Sequence, residues 1–295
     1  MTGRRKFRLR LHGRTLALGE RTLVMGVLNV TPDSFSDGGL TLDPDAAVER
    51  ALALERAGAD IVDVGGESTR PGARPVPAEV ELDRVLPVLE KLRGRLTVPI
   101  SIDTSKAQVA DLAAAAGAEI LNDVTALEGD PATAEVARRR RLAVILMHMR
   151  GRPRSMQRGP FARNALADVR KGLESAISRA LQAGVRRDQI LVDPGMGFGK
   201  NFRQNLELLA ELPELGRLGF PLVVGPSRKA FIGNALGGVA AAGRAWGTAA
   251  TVTAAVLGGA HIVRVHDVSE MAQVVRVADA MFDAGARISR SRLGR

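Results

Sequence analysis

Eight short apolar, β-branched segments alternate with amphipathic helical patterns along the chain, and glycines follow several of the helices. Eight such units in about 265 residues predict an α/β fold, a single TIM (β/α)8 barrel with a short N-terminal β-hairpin. The strand segments read 22–28, 60–64, 98–102, 120–121, 143–147, 189–192, 221–224 and 262–265. Their continuous apolar character suits strands covered on both faces of a parallel sheet. Helical periodicity occupies 46–57, 80–93, 106–116, 131–140, 165–183, 206–212, 244–257 and 269–282, with Gly58, Gly117, Gly184 and Gly258 at helix ends. A doubly wound sheet would not need eight units. The hairpin is read over 7–18, turning at His12 and Gly13. The expected organisation is a basic segment and hairpin at 1–20, a barrel at 21–285 and a disordered basic tail at 286–295.

The 295 residues are 45% hydrophobic and 25% charged, ample for one large core. Cysteine is absent, which excludes disulfides, thiolate zinc sites and cysteine nucleophiles and makes a reducing cytoplasm the default. Neither a membrane-length apolar run nor a signal-type core is present, so no membrane partner is expected. The net charge of +10 invites a nucleic-acid reading until it is located. Arg4, Arg5, Lys6, Arg8, Arg10 and Arg14 at one end, with Arg287, Arg290, Arg292 and Arg295 at the other, equal the whole excess. Tyrosine is absent and Trp246 is the one tryptophan, so stacking platforms for bases are lacking. Solvated basic ends, without a nucleic-acid partner, are the better expectation.

Polar residues concentrate where the predicted strands end, the edge at which barrels of this kind build their sites. In order these are Asn29 and the loop to Asp37, Glu67 to Gly72, Asp103 to Lys106, Asn122 with Asp123, Met147 to Met149, Asp193 to Lys200, Ser227 to Lys229, and Arg264 to Asp267. They sort into two groups. Asp103, Asn122, Asp193 and Lys229 follow four different strands and can meet a flat ring with donors and acceptors on its edge, as in an aminopyrimidine. Asp103 serves equally well as a cap for the next helix. Asn29, Arg70, Arg264 and His266 form the second group. Arginine pairs bind phosphate in a bidentate way, and an asparagine with an acidic neighbour can hold a hard metal. A surface ion pair for Arg70 and a structural role for His266 are the plainer alternatives. The Gly195–Gly199 run matches neither a dinucleotide nor a P-loop pattern; its glycines let backbone approach a ligand beside Phe198. His12 and His261 receive no role.

Two segments carry a specific resemblance: 29–39 (Asn-Val-Thr-Pro-Asp-Ser-Phe-Ser-Asp-Gly-Gly) and 63–72 (Asp-Val-Gly-Gly-Glu-Ser-Thr-Arg-Pro-Gly). With the other strand-end motifs they resemble the dihydropteroate synthases of folate biosynthesis from about residue 23 to 284. The resemblance implies a homodimeric barrel that condenses 6-hydroxymethyl-7,8-dihydropterin diphosphate with 4-aminobenzoate, uses Mg2+ and is inhibited by sulfonamides. It assigns the pterin to Asp103, Asn122, Met147, Asp193, Phe198 and Lys229, and the diphosphate to Asn29, Arg70, Arg264 and His266, with Mg2+ at Asn29. The aminobenzoate falls to Phe35, Thr69, Pro71 and Ser227, and Asp37 to the reacting centre, where Lys229, Arg264 and His266 also act. Gln204-Asn205 stands where the family often has His-Asn, and 40–42 lacks a frequent aromatic. A corrinoid-linked pterin methyltransferase domain and a non-catalytic pterin-binding paralogue are the rival readings.

Overall fold

The computed structural model describes residues 3–31, 43–68, 72–151, 156, 159 and 161–293, with side chains as far as 286. Strands β1 (Phe7–Arg10) and β2 (Thr15–Leu18) pair antiparallel as the expected hairpin. Eight parallel strands follow: β3 (Leu23–Asn29), β4 (Ile61–Gly65), β5 (Ile100–Asp103), β6 (Ile120–Asp123), β7 (Ala143–Met147), β8 (Ile190–Asp193), β9 (Val223–Val224) and β10 (Ile262–Val265). Their spatial order, β8-β7-β6-β5-β4-β3-β10-β9, is a ring in chain order. A parallel bridge between Val192 and Leu222 joins its ends.

The helices are α1 (Pro44–Arg56), α2 (Ala78–Leu92), α3 (Ala107–Ala115), α4 (Thr133–Arg140), α5 (Ala165–Gln182), α6 (Phe202–Ala210), α7 (Leu212–Gly216), α8 (Ala230–Ala235), α9 (Ala245–Leu257) and α10 (Val268–Leu293). The pattern expected over 206–212 starts earlier, because Asn201 and Gln204 form a capping box ahead of Phe202. It breaks after Ala210, and Pro213 lies in the first turn of α7. Helix α8 was not expected, since six residues are too few to show a helical period. Strands β5, β6 and β8 extend onto Asp103, Asp123 and Asp193, because pairing with neighbours holds polar residues in the sheet. The stretch 286–293, expected to lack structure, continues α10. Once a helix is nucleated on the barrel, each further residue adds a backbone hydrogen bond at low cost.

Alternation along the strands divides the core. One parity (Val62, Val64, Ile102, Leu121, Val144, Leu146, Val192, Val224, Val263) points outward against the helices. The other points into the barrel, where Met25, Ile61, Ile120, Ile145, Leu191, Val223 and Ile262 form an apolar floor. Leu9, Leu11 and Leu18 of the hairpin close that floor from below. The basic N-terminal segment is therefore not simply solvated. Arg4 is buried, donates to Asp279 Oδ1 at 2.9 Å and lies over the Phe282 ring. Arg14 pairs with Glu119 at 2.7 Å. The carboxylates that receive them stand far away in sequence, so composition alone could not pair them.

Candidate active site

The inward parity that makes the floor apolar turns polar one or two steps higher. Above Ile61 stands Asp63, above Ile120 Asn122, above Leu191 Asp193, above Ile262 Arg264 and then His266, with Asp103 level with Asn122 in register. Every one of these side chains points inward because of its position relative to the floor, so three of the ring-binding candidates and two of the phosphate-binding ones share one mouth. A cavity of about 840 Å3 opens at that mouth beside Asp103, Val124, Met147 and Met149.

Arg264 is the hub. Its Nε donates to Asp63 Oδ2 at 2.6 Å and its Nη2 to Asp103 Oδ2 at 2.7 Å. Asn122 Nδ2 donates to the same Asp63 oxygen at 3.1 Å. The two acids hold the guanidinium firmly charged, with its pKa above the usual arginine value despite burial. Burial raises the pKa of Asp103, and the neighbouring Asp63 and Glu81 add to the effect while Arg264 and Lys229 oppose it. Asp63 was not among the predicted site residues. The available signal was an acid in the middle of an otherwise apolar five-residue strand. Its Oδ1 has no hydrogen-bond partner among the described residues.

Asp193 ends β8, and its Oδ1 accepts the Gly195 N–H at 2.6 Å, which folds the glycine loop back over the mouth. Burial also pushes this carboxyl up. Phe198 of that loop presents its ring to the Lys229 ammonium, 4.2 Å from the centroid. Phe198, Met147, Val124 and Met156 form a small apolar wall. Burial, reinforced by the charge of Arg264, lowers the Lys229 pKa to about 8.

Lys229 and Ser227 are carried by a turn in which Arg228 takes a left-handed φ of 58°. Arg228 offsets that strain through an ion pair with Asp267 and a bond from its N–H to Thr248 Oγ1 at 3.1 Å. Arg244 Nη1 donates to the Arg228 carbonyl at 2.8 Å. Ser227 Oγ and His266 Nδ1 are 3.0 Å apart, and the His266 N–H donates to the same oxygen. Burial, with the nearby Arg264 and Arg228, lowers the imidazole to about 3, so it is neutral. Asn29 ends β3 opposite Gly65 in register, which itself faces Asp103. Asp123 faces away from this group, and its carboxylate binds Thr125 and Leu127 of the next loop. Of the other predicted residues, Phe35, Asp37, Thr69, Arg70 and Pro71 lie outside the described residues.

The family profile described as "pterin binding enzyme" matches residues 25–266, most of the chain and every strand of the barrel. The dihydropteroate synthase of a Synechocystis strain is 48% identical over 264 residues, covering 90% of this chain and 91% of that protein. This chain belongs to the dihydropteroate synthase family.

Solved structures agree. A Yersinia pestis dihydropteroate synthase in complex with a sulfonamide drug superposes with a TM-score of 0.88 at 44% identity, covering 93% of this chain and 99% of that one. A Xanthomonas albilineans dihydropteroate synthase with 4-aminobenzoic acid gives the same TM-score at 43% identity, with 94% and 98% covered. Membership makes the chain a transferase, a dihydropteroate synthase by activity. The closed ring of β3 to β10 is the barrel that the alternation of segments predicts.

Proposed function

We propose that the chain joins 6-hydroxymethyl-7,8-dihydropterin diphosphate to 4-aminobenzoate, releasing 7,8-dihydropteroate and diphosphate. The observation that carries this reading is the inward polar group over an apolar floor: Arg264 between Asp63 and Asp103, with Asn122, Asp193 and Lys229 beside it. Carboxylates of Asp103 and Asp193 accept from the ring N–H groups, Asn122 both donates and accepts, and Lys229 donates to a ring acceptor. Met147 and Phe198 flank the ring. The bond between the pterin methylene and the diphosphate oxygen breaks, a bond from the methylene to the aniline nitrogen forms, and the nitrogen loses a proton. Charge leaves with the diphosphate, and Arg70, Arg264, His266 and Asn29 receive it.

The geometry refines how they do so. Arg264 already shares its charge with two acids, and His266 is neutral and offers a hydrogen bond instead of a charge. That leaves Arg70 with the largest electrostatic share. Aniline nitrogen is a weak nucleophile, so cleavage runs ahead of attack, with Asp37 favouring the cation. Phe35, Thr69, Pro71 and Ser227 are the residues assigned to the aminobenzoate, and the reaction requires that water be kept from the cation. Isotope exchange of diphosphate in the absence of aminobenzoate is the expected sign of this order; release that strictly requires aminobenzoate would count against it.

The donor set suits Mg2+ of the substrate-chelated kind. Among the described residues no three acidic or histidine side chains are grouped to cage a metal. Mg2+ keeps waters and takes few protein ligands plus substrate phosphates, so the neutral Asn29 oxygen is a sufficient anchor. When bound it supplies charge neutralisation on the leaving diphosphate. The working place is the cytoplasm, and among the described residues no helix is long and apolar enough to cross a membrane.

Diphosphate release on mixing the dihydropterin diphosphate, 4-aminobenzoate and Mg2+ tests the reading. Wild type turns over, and Lys229→Ala and Arg264→Ala do not. Methyl transfer to a corrinoid in place of diphosphate release, or tight pterin binding without turnover, would overturn it in favour of the rival activities.

A further inference from the structure

The opposite end of the barrel holds a second cavity, of about 640 Å3, between the hairpin and the segment leading into β9. Five cations line it (Arg5, Lys6, Arg8, Arg186, Arg187) against one carboxylate, Asp188. Arg186 takes up Asp188 at 2.9 and 3.0 Å, and Lys6 faces Glu20 at 3.1 Å. Arg5, Arg8 and Arg187 make no ion pair among the described residues.

Two of these guanidiniums are aimed at one point. A Cβ placed on Gly219 would lie 3.1 Å from Arg5 Nη1 and 3.3 Å from Arg187 Nη2, so both groups sit over bare backbone. Arg187 also donates to the Gly219 carbonyl at 3.2 Å and lies over the Phe220 ring at 4.1 Å. Arg5 lies over the Phe7 ring at 5.2 Å. Its backbone is held by a residue that the sequence left without a role. His261 is buried, its Nδ1 accepts the Leu222 N–H at 3.1 Å, and its Nε2 donates to the Arg5 carbonyl at 2.9 Å. The segment that begins the basic N-terminus is thus fixed to the sheet before its side chains reach the cavity.

Like charges brought together without a counter-charge repel, and an anion between them relieves the repulsion. Guanidinium forks match phosphate oxygens in pairs. Here the aromatic rings are stacked by the arginines themselves, which favours reading phosphate over a base. We propose that this cavity binds a multiply charged phosphate anion, such as a triphosphate chain, at the far end of the barrel from the catalytic mouth. The proposal gives a use to Arg5, Lys6 and Arg8, three of the six N-terminal cations, which the reaction at the other mouth does not use.

Calorimetric titration of the full chain with inorganic triphosphate is the test, repeated on Arg5→Ala/Arg187→Ala and on the single exposed change Arg187→Glu. Wild type binds, the affinity falls as salt rises, and both variants bind about tenfold or more weakly, which is a loss of about 1.4 kcal/mol or more. Dihydropteroate formation and the melting temperature stay at wild-type values in both. Equal affinity for ATP and triphosphate is expected, since only the phosphate chain is read; markedly tighter ATP would overturn that specificity. Failure of wild type to bind, or variants that bind as tightly as wild type and so place the anion at the catalytic mouth, would overturn the site itself.

Discussion

Buried beside Arg264 and against Phe198, the Lys229 ammonium loses its proton at about 8, well below the usual lysine range. The proposed contact to the pterin then weakens as pH rises through that value, so kcat/KM falls on the alkaline side. Lys229→Arg stays charged and shifts that limb out of range, which a pH–rate series would detect. Linkage gives a second reading of the same group. Between about pH 8 and the free-lysine value of about 10.4, the unfolded chain holds a proton that the folded one has released. Wild type therefore gains stability relative to Lys229→Met across this window, measurable by urea unfolding at its two ends. Asp63 makes a different prediction. Asp63→Asn keeps the shape but removes the charge that Arg264 Nε and Asn122 share. It costs about 1–3 kcal/mol of stability and raises KM for the dihydropterin diphosphate, by urea titration and steady-state kinetics. An unchanged KM would separate Asp63 from the site. Asp103, Asn122 and Asp193 were legible because they stand where strands end; Asp63 escaped because it lies inside one, where sequence alone shows no partner.

Among the elements, the loop between β8 and α6 shows how the chain spends glycines. Side chains at Gly195 and Gly199 would collide with the carbonyls of His148 and Arg150, so the loop lies directly on the end of the β7 segment. Lys200 fastens it there. Its buried ammonium donates to the carbonyls of Phe198 at 2.9 Å, Gly195 at 3.0 Å and His148 at 3.2 Å. Asn205, next to the Gln204 that departs from the family pattern, accepts the Gly197 N–H at 2.6 Å, while Gln204 caps its own helix. Lys200→Met frees those carbonyls and lets Phe198 drift from Lys229. KM for the pterin substrate should rise about tenfold or more with the far-UV spectrum unchanged; an unaffected KM would show that the loop holds without it. The hairpin answers to stability instead. Leu9 is fully buried in the barrel floor, and Leu9→Ala costs about 2–5 kcal/mol by denaturant unfolding, with the specific activity of the folded fraction retained.

At the scale of the molecule, helices α6, α8 and α9 pack on one another and leave Phe202, Leu206, Leu236 and Trp246 exposed, the last at 87%. We propose that these four exposed apolar side chains form the interface of a homodimer. Trp246→Glu should shift sedimentation from dimer to monomer at micromolar concentration; a monomeric wild type would count against it. The strand and helix succession was legible because buried parallel strands leave unbroken apolar runs and helices leave a period. Six residues of α8 and the long extension of α10 were not, since neither short helices nor helix propagation leaves a distinct pattern. By itself the sequence determined the alternation, hence the barrel, and the strand-end positions of Asp103, Asn122, Asp193, Lys229, Arg264 and His266. Only the tertiary structure decided which of them share a charge. The guanidinium of Arg264 meets Asp63 and Asp103 across 201 and 161 residues of chain, a pairing set by ring closure and strand register that no local pattern records.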